Sequence, residues 1–98
     1  MASGKGTRIL KVFKALKAHP IIGISNKEIA DSLGISPVHV SRDLNDLIEE
    51  GLVMKLDNGN FAYSMRTLQI AERFRQQHDQ LQERLKEISY RLEAGSRF

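Results

Sequence analysis

The sequence predicts a mainly α chain with one small β-hairpin, followed by a long C-terminal helix. Three observations predict it. Apolar residues recur at helical spacing in three separate stretches before Gly51. An Asn-Gly pair, Asn58-Gly59, stands between two short, loosely alternating segments. Beyond Thr67 the apolar residues settle into a repeat of three and four that runs to Leu92.

The first helix is expected to start near Thr7, a suitable N-cap. Ile9, Val12, Phe13 and Leu16 fall at i, i+3, i+4 and i+7, so one face is buried. His19-Pro20 ends it, because a residue before proline avoids the α region. Ile21–Ile24 reads as an apolar connector or a small strand. Ser25 and Glu28 form a capping box in which each is expected to satisfy the other's orphan N–H. The second helix then spans about 26–33 and buries Ile29, Ala30 and Leu33. Gly34 follows where a helix ends in left-handed geometry. Ser36-Pro37 opens the third helix with Ser at N-cap and Pro at the first turn, where a missing N–H costs nothing. Val40, Leu44, Leu47 and Ile48 form its buried face, and Gly51 closes it. Segments 52–56 and 61–65 are the hairpin strands, joined by a type I′ turn whose central residues both need positive φ. Thr67 is the expected N-cap of the last helix, which reaches about Glu93 with Gly95 just past it. The expected organisation is a flexible N-terminus over 1–6, a compact unit over 7–66, and a helix over 67–98.

Composition narrows the function. In 98 residues, 41% are hydrophobic and 28% charged, the proportions of an ordinary globular domain. No cysteine is present, so a disulfide framework and a thiolate zinc site are excluded. No apolar run approaches the ~18–20 residues of a membrane span, and no apolar stretch of a signal peptide follows Met1–Gly6. The expected location is therefore the cytoplasm, with no membrane partner. The net charge of +3 permits a nucleic-acid partner without demanding one. It is unevenly spread: Lys5, Arg8, Lys11, Lys14 and Lys17 precede the first acid, whereas Asp43, Asp46, Glu49 and Glu50 crowd the third helix.

Helices two and three are joined by a few residues around Gly34, with the small Ala30 four positions earlier. That is the helix-turn-helix arrangement. Ala30 lets the helices cross closely, and Ile35 and Val40 fill the hollow between them. The third helix is left free to enter a major groove, with the hairpin as a wing. At this point the chain resembles the winged helix-turn-helix domain of the IclR-type bacterial transcription regulators. The resemblance covers about residues 7–67. It rests on the first amphipathic helix, Ser25–Leu33, Gly34-Ile35, Val40-Ser41-Arg42, Leu44–Gly51, and Phe61-Ala62-Tyr63-Ser64-Met65. It implies a dimeric DNA-binding protein acting in transcription, from a bacterium or phage. Regulators of that type carry a large effector-binding domain after the wing. Here one long helix stands in that place, so no small-molecule ligand or cofactor is implied.

Candidate DNA-contacting residues follow from the helical wheel. Opposite the Val40–Leu44–Leu47 face lie Val38, Arg42 and Asn45, flanked by His39 and Ser41. The fork of Arg42 matches the O6 and N7 acceptors of guanine, Asn45 suits adenine, and Val38 suits a thymine methyl. Ser25, Ser36 and Pro37 stand at helix N-termini, where N–H groups and the dipole favour phosphate. Lys55, Asn58, Gly59 and Asn60 are the wing candidates, and Arg8 is the candidate from the first helix. Plainer readings accompany these. Arg42 is also spaced to pair with Asp46, and the lysines of helix one also fit a solvated face.

In the last helix, Phe74, His78, Leu81, Leu85, Ile88 and Leu92 continue a seam that starts at Ala71. A narrow stripe of this kind favours a coiled coil, and the expectation is a homodimer through it. Leu68 and Ile70 lie off the seam and are expected to dock on the compact unit. No P-loop, GxGxxG or HExxH occurs, and the three histidines fall on different elements. The expected function is thus a non-enzymatic, sequence-specific regulator that binds double-stranded DNA as a homodimer on a roughly palindromic site. The alternatives are a winged helix used as a protein-interaction module, and a replication or partition protein of a phage or plasmid.

Overall fold

The computed structural model describes residues 4–96. Its elements run α1 (Lys5–Ala15), a 3₁₀ turn (Leu16–Ala18), α2 (Asn26–Leu33), α3 (Pro37–Glu49), β1 (Val53–Lys55), β2 (Phe61–Tyr63) and α4 (Met65–Ser96). This is a mainly α winged helix-turn-helix with an antiparallel two-stranded wing and a long final helix. The chain divides into two compact units, one up to Leu68 and one from Gln69 onward.

The amphipathic faces of the first three helices meet in one core. Val12 and Leu16 come from α1 and its 3₁₀ extension, Ile29 from α2, and Val40 and Leu44 from α3, all fully buried. Ile24 and Val53 add to it from the connector and β1. Burying each such side chain contributes about 1.5–3 kcal/mol. Tyr63 of β2 packs edge-on against Phe13 at 5.0 Å between centroids. Its hydroxyl donates to the Phe13 carbonyl at 2.9 Å.

Local chemistry sets most boundaries. Ser25 caps α2 by accepting from the Glu28 N–H at 3.1 Å. Glu28 accepts from the Ser25 hydroxyl at 3.0 Å instead of from its backbone N–H, a one-sided version of the expected box. Gly34 ends α2 at φ +66°, the region where a Cβ is penalised. Ser36 caps α3, with Pro37 in its first turn.

Several boundaries differ from expectation. Helix α1 begins at Lys5 with Gly4 at its N-cap, not at Thr7. Lys5 and Gly6 are therefore helical and Gly4 is their cap, whereas residues 1–3 of the expected flexible start lie outside the described residues, as do 97 and 98. Ile21–Ile24 forms no strand: a turn leads to a single bridge between Ile24 and Phe61. The wing turn is not type I′, because Gly59 has positive φ and Asn58 does not. Leu56 donates to the Asn60 carbonyl at 2.7 Å and Gly59 to the Leu56 carbonyl at 2.9 Å. That is a three-residue loop with its glycine in the left-handed position. Ser64, not Thr67, caps α4 by accepting from the Thr67 N–H. The Thr67 hydroxyl instead donates to the Leu52 carbonyl at 2.7 Å. Helix α4 runs through Gly95 to Ser96 and has no buried residue. Leu68 and Ile70, expected to be buried, are exposed.

Candidate nucleic-acid interface

The N-termini of α2 and α3 are held side by side. The Asn26 side-chain amide donates to the Pro37 carbonyl at 3.2 Å, tying the first turn of one to the first turn of the other. Asn26, Pro37, Val38, Ser41 and Arg42 line one shallow open depression there. Asn26 is absent from the sequence-based candidates. Its signal was only its place just after the Ser25 cap, which does not reveal an acceptor 11 residues away.

Helix α3 sorts its residues as the wheel requires. Val40, Leu44 and Leu47 face the core, while Val38, His39, Ser41, Arg42 and Asn45 are exposed. Arg42 makes no ion pair among the described residues, and in particular does not take Asp46. That acid lies 3.8 Å from the Lys5 ammonium instead. Ser36 holds the His39 N–H at 3.3 Å. At both caps, Ser25 and Ser36, an oxygen lone pair is committed to the helix.

Arg8, a sequence-based candidate for DNA contact, is committed elsewhere. Its Nε and Nη2 donate to the two oxygens of Asp43 at 2.7 and 2.8 Å. The Asp43 side chain is 0% exposed and that of Arg8 23%. The bidentate fork explains how a carboxylate survives burial: both its oxygens are satisfied by one planar cation. Asp43 holds the Arg8 guanidinium above its usual pKa, chiefly through this hydrogen bond. The signal for Asp43 was legible: Val40, Asp43, Leu44 and Leu47 share one helical face. Its residue type placed it with the surface acids instead.

The wing candidates divide. The Asn58 and Asn60 amides both donate to the Ile22 carbonyl at 3.4 Å, and Asn58 Oδ1 accepts from the Asn60 N–H at 2.9 Å. These two side chains brace the wing tip against the α1–α2 connector. Gly59 supplies the turn. Lys55 is exposed, with its Nζ 5.8 Å from the centre of the Phe61 ring. A second shallow depression, lined in part by Lys11, Lys14 and Lys17 with Ser32 of α2, gathers much of the basic charge of α1.

The seam residues expected from the sequence all lie on α4. Phe74, His78, Leu81, Leu85, Ile88 and Leu92 are all exposed in the single chain. Phe74 stacks on His78 at 6.2 Å between ring centroids, and His78 Nδ1 lies 3.5 Å from Asp79. No group of three or more His, Cys, Asp or Glu side chains is arranged to hold a metal among the described residues. No helix among them is long and apolar enough to cross a membrane.

Residues 7–61 match the family model of the Crp-like helix-turn-helix domain. The match spans the three helices and most of the wing, and it makes this segment a winged helix-turn-helix DNA-binding domain. It does not reach the IclR-type assignment. No curated protein matches the chain.

Proposed function

Given that the chain belongs to the Crp-like helix-turn-helix family, we propose that it is a transcription regulator that binds a specific double-stranded site as a homodimer. The carrying observation is the outer edge of α3. Arg42 stands there, without an ion-pair partner among the described residues, beside Val38, Ser41 and the Asn26 bridge. Two of the acids of that helix are meanwhile neutralised from α1 by Arg8 and Lys5. A charged fork held free next to two helix N-termini suits a guanine edge flanked by phosphates.

In this reading Arg42, Asn45, Val38, His39 and Ser41 face the bases. Ser25, Ser36, Pro37 and Lys55 approach the backbone, and Asn58, Gly59 and Asn60 act by shaping the wing. The α4 seam joins two copies over a roughly palindromic site, with half-sites about 34 Å apart. The proposed IclR-type affinity rests on the first amphipathic helix and on the residues quoted for it from Ser25 to Met65. The cytoplasm is the compartment where such a regulator meets its DNA.

The test is selection of bound duplexes from a random pool, then titration at two salt concentrations. The expected result is an inverted repeat bound with affinity that falls steeply with salt. Arg42→Ala should lose roughly 1–3 kcal/mol on the selected site and little on random DNA. Absence of duplex binding at low salt would sink the proposal. Equal losses on selected and random DNA would reassign Arg42 to the phosphates.

A further inference from the structure

We infer that α4 pairs with α4 of a second copy in parallel and in register; this rests on the homodimer reading above. The seam alternates two kinds of core position. Ala71, His78, Leu85 and Leu92 hold one, and Phe74, Leu81 and Ile88 the other. In a parallel pair each layer meets its own copy. In an antiparallel pair the two kinds meet each other.

His78 separates the two cases. In the antiparallel register that keeps most of the seam, Leu85 faces Leu81 of the second copy and His78 faces Ile88. The imidazole would be set against isoleucine, and the Asp79 carboxylate of its own helix, 3.5 Å from Nδ1, would leave Nε2 without a partner. A buried polar group left unsatisfied costs about 1–3 kcal/mol. In the parallel register His78 meets His78. A neutral imidazole is donor at one nitrogen and acceptor at the other, so one N–H···N bond can join the two rings.

The flanking charges point the same way. The positions beside the seam are occupied by Gln77, Arg84 and Arg91 on one side and Arg75, Gln82 and Ser89 on the other. No acid is among them. Arg75 is held by Glu72 and Asp79, and Arg91 by Glu87, each within its own helix. Arg84 has no ion-pair partner among the described residues. An antiparallel pair sets like flank against like flank and brings Arg84 onto its own copy. A parallel pair sets one flank against the other: Gln77 meets Gln82, and Arg84 meets Ser89. Like charges in direct apposition are repelled; an arginine beside a serine is not.

The parallel arrangement also suits the proposed task. Each winged domain continues into the N-terminal end of its α4. Parallel helices therefore place both domains at one end of the coil, where they can share one duplex.

The chain has no cysteine, so engineered thiols report geometry without background. The full-length protein is first sized by sedimentation; a monomer at 100 µM overturns the homodimer reading and this inference with it. If it is a dimer, Ala71→Cys and Gly95→Cys are oxidised separately and mixed. A Cβ on Gly95 meets no atom within 4 Å, and Gln80→Cys, off the seam, sets the rate of chance linking. The expected result is self-linking of each seam variant at least tenfold faster than Gln80→Cys, without enrichment of the mixed product. A dimer that links only when Ala71→Cys is mixed with Gly95→Cys is antiparallel and overturns the inference. A dimer in which neither exceeds the Gln80→Cys rate has its interface elsewhere and overturns it too.

Discussion

Asp43 and Arg8 turn what looks like a charge conflict into a joint. A carboxylate on the reading helix of a DNA-binding domain should repel phosphate. Here it is buried, and its charge is met by α1 across 35 residues of sequence. The two partners should not be equivalent. Removing Arg8 strands a fully buried carboxylate, whereas removing Asp43 leaves a guanidinium that already reaches solvent. Arg8→Ala should lower Tm by about 10 °C, and Asp43→Ala by clearly less. Equal losses in thermal melts would show that the asymmetry of burial does not matter. Tyr63 supplies a prediction with a definite sign. Burial raises its phenol pKa above the ordinary 10.0, so the folded state keeps a proton that the unfolded state gives up. The stabilisation is complete below pH 10 and is lost as pH rises through the folded value. Denaturant midpoints should therefore fall between pH 9.5 and 11. Tyr63→Phe should start lower, having lost the bond to Phe13, but remove the part of that fall due to the phenol. A slope unchanged by Tyr63→Phe would assign the whole alkaline loss to other groups.

At the scale of elements, the caps of α2 and α3 were legible, whereas those of α1 and α4, expected at Thr7 and Thr67, were not. Ser25, Ser36-Pro37 and Gly34 act within three or four residues, so spacing alone exposes them. The wing was half legible: Asn58-Gly59 marks a turn, but its type depends on strand ends that short sequence cannot place. Gly23 was hidden altogether. Its φ is +79°, and an added Cβ would lie 2.9 Å from the Phe61 carbonyl oxygen and from side chains of Asn60 and Leu56. The requirement comes from a strand 38 residues away, which no local pattern reports. Gly34 has a similar φ of +66° but open space around it. The two glycines should therefore respond differently to alanine. Gly34→Ala should cost roughly 1–2 kcal/mol, the strain of a left-handed residue. Gly23→Ala should cost more, because it adds a collision with backbone, and should also disturb the wing tip braced by Asn58 and Asn60. Unfolding midpoints for both variants decide the order. The reverse order would mean that the connector shifts freely.

The whole molecule divides its work unequally between its two compact units. The first has a core and can owe its order to it. The second is the stretch of α4 from Gln69, which has no buried residue. Its own supports are exposed pairs such as Arg75 with Glu72 and Asp79, which contribute little in water. A lone helix is cooperative but marginal, and most helical stability in proteins comes from packing an apolar face. The seam is that face, and on the proposed reading a second copy covers it. The order of this unit should then depend on concentration, while that of the winged domain should not. The two tyrosines separate them spectroscopically, since the chain has no Trp. Tyr63 is packed on Phe13 in the first unit, and Tyr90 is exposed in the second. On dilution from about 100 µM to about 1 µM, the helical far-ultraviolet signal should fall by roughly a third or more, since α4 holds 32 residues. The near-ultraviolet signal of Tyr63 should persist. Leu85→Asp should give the diluted spectrum at every concentration, because a carboxylate in the seam prevents pairing without touching the first core. If sedimentation shows the dimer dissociating while helicity stays constant, α4 is ordered by its own sequence, and the seam serves association alone.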